Sequence, residues 1–335
     1  MKKINISGMH PPNLIKKERK IFAREIANYL DKKGNFKYGK NSNCPICNSF
    51  KIKFKFFKNG FKFVKCQKCN FVFANPRPTV DFLKKYYSEG ATYKYMQNVI
   101  LHRTAKFRIQ IILKPKLEIV NRFFKKNKNK LLDVGCASGY FLDLASKVGW
   151  DCYGVEPSPN AIKFLKKNFP DIKVFNTTIE ELELKAKFNV ITCWEVVEHV
   201  LNPLEIFKKI YSLLNKKGTF VLSAPNSEGF DMLILKELAD ANTAPDHLNF
   251  FNPKAITFAF LKAGFKKVEV LTPGIFDLDK IVNAIKERKS QGLVDRFLLD
   301  LYENKYPEHD KFREKFISFL QENKWSGHMV VVGFK

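Results

Sequence analysis

The chain has 335 residues, 45% of them hydrophobic, enough for at least one full α/β core and, at roughly 150 residues per domain, about two domains. Lys and Arg outnumber Asp and Glu by 59 to 33, a net charge of +26, but the lysines are spread along the chain and read as solvated faces, with runs such as "NRFFKKNKNK" (121–130) as candidate anion patches. The composition excludes a disordered chain; no run of 18 apolar residues marks a membrane span, no apolar segment follows the basic start, and seven cysteines, an odd number, speak against a disulfide framework, so a cytoplasmic protein with reduced thiols is expected.

In residues 1–40, Ile15, Phe22, Ile26, Tyr29 and Leu30 fall close to helical spacing, which predicts an amphipathic helix over 14–32. Residues 41–78 carry two knuckles, Cys44-Pro-Ile-Cys47 and Cys66-Gln-Lys-Cys69, at the spacing of a four-cysteine zinc ribbon. Between them "FKIKFKFFKNGFKFVK" alternates apolar and lysine residues around Asn59-Gly60, a hairpin pattern. Four thiolates leave no open position on a zinc ion, so the metal expected here is structural. Residues 79–128, rich in Tyr, Lys and Arg, predict helices that form a connector or lid.

From residue 129 to 335 strands and helices alternate. Strands are predicted at "KLLDVG", "DCYGVE", "IKVFN", "FNVITCWE", "GTFVLSAP", "KKVEVLTP" and "HMVVVGF". Helix starts are predicted at Ser158-Pro159, Asn202-Pro203 and Asn252-Pro253, with Gly218 and Gly264 closing the second and third. The expected fold class is α/β, a doubly wound, mostly parallel Rossmann-like seven-stranded sheet with a small zinc ribbon and a helical connector. Ligands of such sheets bind at the carboxyl ends of the strands.

The first strand turns into a helix through Asp133-Val-Gly135-Cys-Ala137-Ser-Gly139, and Glu156 closes the second strand about twenty residues on. Glycines let a backbone approach a ligand, and a carboxylate at that place accepts both hydroxyls of a ribose, so a nucleoside-containing ligand is expected. A dinucleotide oxidoreductase shares these features. The stretch "LLDVGCASG", however, resembles the first motif of class I S-adenosylmethionine-dependent methyltransferases, with Ala137 in place of the middle glycine. The resemblance covers roughly residues 129–270 and recurs in "GVEPS", in "FNTTIEEL" at the adenine-contact position, in "FNVITCWEVVEHV" with Asn189 replacing a common aspartate, and in "LSAPN" and "DHLNFFNPKAITFAFLKAGF". It implies that Gly135, Ala137 and Gly139 line the methionine part of S-adenosylmethionine, that Glu156 holds the ribose, that Thr178 borders the adenine, and that Trp194 and Glu195 lie near the sulfonium. Asp133 is expected to position the glycine turn and the amino group. His247, just beyond the fifth strand, is the candidate general base for a hydroxyl acceptor, and His199 is the second candidate, expected in the helix after the fourth strand.

Cys193 is expected to be a buried strand residue, since the Pro-Cys dipeptide of cytosine methyltransferases is missing, as is the Asn/Asp-Pro-Pro-aromatic signature of amino methyltransferases. The order of zinc ribbon, Tyr-rich helices, methyltransferase domain and a tail ending "NKWSGHMVVVGFK" resembles bacterial sugar methyltransferases of surface-polysaccharide and secondary-metabolite pathways. That resemblance implies O- or C-methylation of an anionic nucleotide-linked sugar or glycan precursor, its diphosphate met by cations such as Arg77, Arg103 or Arg108. The alternatives are an RNA methyltransferase that grips the backbone through the ribbon, where Lys65, Lys68 and Phe71 flank the knuckles, and an inactive scaffold.

Overall fold

The computed structural model describes residues 8, 11–123, 129–236, 239, 244–273, 278–286, 292–303 and 308–335. Helix α1 (Pro12–Ala27) buries Leu14 and Ile26. It is shorter than its apolar pattern, because Tyr29 lies in a turn and Leu30 pairs in a bridge with Phe36. The two-residue strand β1 (Gly39–Lys40) leads into the cysteine region, where β2 (Ile52–Lys58) and β3 (Phe61–Cys66) form the expected hairpin. Asn59 and Gly60 both have positive φ, the conformation a tight hairpin turn demands of its central pair. β4 (Val72–Ala74) pairs with β3, and β5 (Arg77–Pro78) pairs back with β1.

Helix α2 (Val80–Glu89) is capped by Thr79, whose side chain accepts from Phe82 N. The chain then runs helically through α3 (Ala91–Tyr95), α4 (Leu101–Arg108) and α5 (Lys114–Asn121), joined by π-helical turns at Met96–Ile100 and Ile109–Leu113. Glu25 of α1 accepts from Ala91 N and Thr92 N, a carboxylate set on the positive end of this long helix.

The central sheet holds β6 (Lys130–Val134), β7 (Asp151–Val155), β8 (Lys173–Phe175), β9 (Phe188–Trp194), β10 (Leu214–Pro225), β12 (Lys267–Leu271) and β13 (His328–Phe334), while β11 (Asn249–Phe250) lies outside it. The order across the sheet is β12-β13-β10-β9-β6-β7-β8. Helices α6 (Tyr140–Lys147), α7 (Pro159–Asn168) and α8 (Pro203–Leu213) are the crossovers that keep β6 to β10 parallel. β13 runs antiparallel to both β10 and β12, so the sheet is mixed. Successive residues point to opposite faces, and both faces are covered: Leu132, Ile191 and Leu222 pack in one core with α8 and α10 (Pro253–Ala263), and Leu131, Val190 and Val221 in another with α5 and α6.

Three helix signals are resolved by the structure. Ser158 and Asn252 accept from Ala161 N and Ala255 N as N-caps, and Gly264 closes α10 in the left-handed region. Asn202 stands before Pro203 but makes no side-chain cap bond. Gly218 does not close α8, which ends at Leu213; it lies inside β10, at a register shift between Leu214 and Thr219. Beyond the expected elements, α9 (Phe230–Leu235), α11 (Leu278–Lys286), α12 (Leu293–Tyr302) and α13 (His309–Glu322) build a small helical core around Leu235, Ile281, Leu298 and Leu320. The last three of these helices lie between the two final predicted strands, where no element was expected.

The cysteine sheet has a fourth strand supplied from far along the chain. β11 pairs antiparallel with β4, Asn249 opposite Phe73 and Phe250 opposite Val72, giving the order β11-β4-β3-β2. Phe71 and Phe73 pack with Phe251 and Phe207 in the same core as β9 and β10. Among the described residues no helix is long and apolar enough to cross a membrane.

Candidate active site

After β6 the backbone turns through Gly135 (φ +72), Ala137 (φ +46) and Gly139 (φ +77). A Cβ on Gly135 would come within 2.5 Å of Val196 Cγ2, and one on Gly139 within 2.6 Å of Leu165 on α7. At both positions the missing side chain makes room for another part of the protein, where the sequence suggested room for a ligand. Glu156, 5% exposed, stands at the end of β7 and braces this turn: Oε2 accepts from Ala137 N at 3.0 Å and Oε1 from Ser158 N at 2.8 Å. Burial raises its pKa and the two N–H groups oppose the rise. Thr178 caps a local turn, accepting from Glu181 N.

Asp133 is buried in β6 and accepts from the Thr192 hydroxyl at 2.7 Å. Burial pushes its pKa from 3.8 up to about 7, against the pull of Thr192. A carboxyl that stays protonated longer in the folded state than in the unfolded state lowers stability as pH rises between the two values. Asp133→Asn is therefore expected to gain stability relative to the native protein as pH goes from about 4 to about 7 and to level off above, as read by denaturant unfolding at a series of pH values. A constant difference across that window would remove Asp133 as its cause.

Trp194 ends β9 with its ring edge-on to Phe141 at 5.2 Å and the Lys116 ammonium 4.9 Å from its centre. Glu195 follows in a left-handed conformation (φ +55). Its Oε1 is met by His328 Nε2 at 2.7 Å, by Lys116 Nζ at 3.1 Å and by the Ser223 hydroxyl. Burial opposes ionisation of Glu195, but His328 and Lys116 hold its carboxyl well below the usual range. His328 was not foreseen. It opens β13 opposite Pro225, at the carboxyl end of β10, and only the antiparallel return of the last strand brings it there.

His199 and His247 are brought together, their rings 4.8 Å apart and edge to face. Nδ1 of His199 lies 2.9 Å from the Asp246 carbonyl oxygen and 3.3 Å from its carboxylate. Burial opposes charge on this imidazole, yet Asp246 lifts its pKa to about 10. Beside the rings Glu198 is 2% exposed, and its Oε2 has no hydrogen-bond partner among the described residues. The Tyr93 hydroxyl of α3 is pushed up by burial, with Glu156 and then Asp246 adding to the rise.

The frame around the histidines is built by Arg77. Its Nη2 donates to Val200 O at 3.0 Å, Leu201 O at 2.6 Å and Asn249 Oδ1 at 3.0 Å. Asn249 Nδ2 in turn donates to Val197 O and Val200 O, and the amides of Leu248 and Asn249 donate to Glu198 O. Arg77 is 6% exposed and turned inward, which corrects its reading as a diphosphate contact. Arg103 is exposed, and Arg108 donates to Thr104 Oγ1 within electrostatic reach of Glu195.

The four knuckle cysteines are buried, with Cys44 Sγ 3.5 Å from Cys69 Sγ and Cys47 Sγ 3.4 Å from Cys66 Sγ. All four sulfurs lie within 4.8 Å of one another. Tetrahedral zinc with bonds of about 2.3 Å separates its sulfurs by roughly 3.8 Å, so the donor set fits one such ion. Cys193 is fully buried in β9 and its thiol is pushed up by burial, as expected of a packing residue.

Residues 106–270 match a family described as "Methyltransferase domain". The chain is 25% identical over 175 residues to a probable S-adenosylmethionine-dependent methyltransferase of Mycobacterium tuberculosis, across 48% of this chain and 61% of that protein. It is 32% identical over 101 residues to a ubiquinone biosynthesis O-methyltransferase of Bradyrhizobium diazoefficiens, across 29% of this chain and 40% of the other. A SAM-dependent methyltransferase of Thermotoga maritima of known structure is 17% identical with a TM-score of 0.47, covering 72% of this chain and 97% of that one. The chain spans less than two thirds of the length of either curated relative it matches here. Residues 106–270 thus match a methyltransferase domain and are similar in sequence to S-adenosylmethionine-dependent methyltransferases.

Proposed function

We propose that the protein transfers a methyl group from S-adenosylmethionine to an oxygen of a small acceptor, a nucleotide-linked sugar or glycan precursor. The observation that carries this reading is the pairing of two unlike edges at the carboxyl ends of neighbouring strands. One is the left-handed turn braced by Glu156; the other is the His199–His247 pair held by Asp246. S-adenosylmethionine supplies an electrophilic methyl carbon. Gly135, Ala137 and Gly139 face its methionine part, Asp133 orders the turn behind them, Glu156 takes the ribose, Thr178 borders the adenine, and Trp194 and Glu195 lie near the sulfur. The acceptor oxygen sits at the histidine pair, so alignment and exclusion of water carry most of the acceleration. The names of the ubiquinone O-methyltransferases favour oxygen as the acceptor atom, and Arg108 with the surrounding lysines suits a diphosphate.

Incubation of the purified chain with labelled S-adenosylmethionine and separate pools of nucleotide-sugars and RNA tests this. Label in the nucleotide-sugar pool supports it; label in RNA alone, abolished by nuclease, replaces it with the second reading. One observation favours that second reading: a cleft on the cysteine module is lined by Asn41, Asn43, Lys62 and the exposed ring of Phe54.

Cys44, Cys47, Cys66 and Cys69 are proposed to hold a structural zinc ion. Because β11 pairs with β4, losing the ion would loosen the histidine loop as well as the knuckles. Prolonged chelation is expected to release about one zinc per chain and to lower the melting temperature by roughly 10 °C or more. A chain that contains no zinc as purified, or an unchanged melting temperature after its removal, would count against it.

A further inference from the structure

We propose that Glu198, His199 and His247 form a second metal site, one that takes a divalent cation such as Mn2+ with open positions toward the acceptor. Each of the three offers one ligand atom, and these atoms lie within 4.8 Å of one another. Two imidazoles and a carboxylate suit first-row divalent ions.

Three further observations mark the cluster as built. Glu198 Oε2 is a buried acceptor with no hydrogen-bond partner among the described residues, an arrangement that is costly unless something binds it. The Tyr87 hydroxyl, buried and likewise unpartnered, lies within electrostatic reach of both Glu198 and Asp246. His199 presents Nδ1 to the carbonyl and carboxylate of Asp246, so the ion takes Nε2 by displacing the proton there; a metal-bound histidine is commonly oriented by such a partner on its other nitrogen.

The scaffold is equally specific. The two ligand-bearing segments, 198–199 and 247, are tied by the Leu248 and Asn249 amides on Glu198 O, by Asn249 on Val197 and Val200, and by Arg77 on Val200, Leu201 and Asn249. Fixing both segments pre-organises the three ligands, as a metal site requires.

The role of the ion deepens the proposed function and rests on it. Glu198, His199 and His247 would hold the ion, which would supply acidification of the acceptor hydroxyl; the proton would leave to solvent as the oxygen takes the methyl carbon and the C–S bonding pair stays on sulfur. His247 serves in this arrangement as a ligand.

Binding itself is read without turnover. The full chain, its cysteines kept loaded with zinc, is titrated with Mn2+ while the paramagnetic resonance signal of the free ion is followed. The native protein is expected to remove one equivalent, and Glu198→Gln and His247→Ala to weaken that binding at least ~10-fold. Calorimetry with S-adenosylhomocysteine on the same preparations shows that the variants are folded. A native chain that leaves the Mn2+ signal unchanged, or variants that bind Mn2+ as tightly as the native chain while retaining S-adenosylhomocysteine, overturn the site. Mn2+ binding without S-adenosylhomocysteine binding supports the site and removes the methyl-transfer reading; the reverse result removes the site alone.

Discussion

Replacing Arg77 with Ala is expected to be among the most damaging single changes in the chain. Among the described residues the buried guanidinium has no carboxylate partner, and burial lowers its pKa to about 10. It is retained because one nitrogen satisfies three acceptors at the junction of β9 and β11. Val200 O keeps a bond from Asn249 when Arg77 is lost, but Leu201 O and Asn249 Oδ1 do not recover theirs. Two unsatisfied acceptors plus a cavity cost on the order of 3 kcal/mol, which lowers the melting temperature by roughly 6–12 °C. Arg77→Met keeps the apolar stem and loses the donors, so it is expected to be nearly as unstable as Arg77→Ala. Full stability in the Met variant, measured by calorimetric melting, would show that the stem alone matters.

The second large effect is expected at Glu156. Two hydrogen bonds from ribose hydroxyls to a carboxylate contribute about 1.5–3 kcal/mol each, so Glu156→Ala should weaken S-adenosylhomocysteine roughly 100-fold or more. The same change frees Ala137 N and Ser158 N, and the glycine turn loses its brace. Glu156→Gln keeps one acceptor oxygen and an N–H that cannot accept, so it is expected to fall between the two. Calorimetric titration decides. Equal affinity in all three proteins would mean that the ribose binds elsewhere.

The strands of the central sheet were legible because most are short runs of β-branched and other apolar residues between turn residues, a local pattern that needs no partner to be seen. The hairpin at Asn59-Gly60 was legible for the same reason. What could not be read are the contacts that depend on distant chain segments. β11 is two residues long and completes a sheet whose other strands lie far upstream. Arg77 looks like a free cation until the loop carrying Asn249 closes over it. Gly218 reads as a helix stop, yet β10 starts ahead of it and it is absorbed into the strand. His328 meets Glu195 only because β13 returns antiparallel between β10 and β12. The glycines of the first turn were read as places for a ligand, and the structure adds Val196 and Leu165 as the side chains that would collide with any Cβ there.

The most direct measurement is the structure of the complex with S-adenosylhomocysteine. The ribose hydroxyls are expected within hydrogen-bond distance of the Glu156 carboxylate, the amino-acid end over Gly135–Gly139, and the sulfur turned toward Trp194 and the His199–His247 edge. Ligand bound away from Glu156, or a folded chain that takes up no ligand at saturating concentration, would contradict the account.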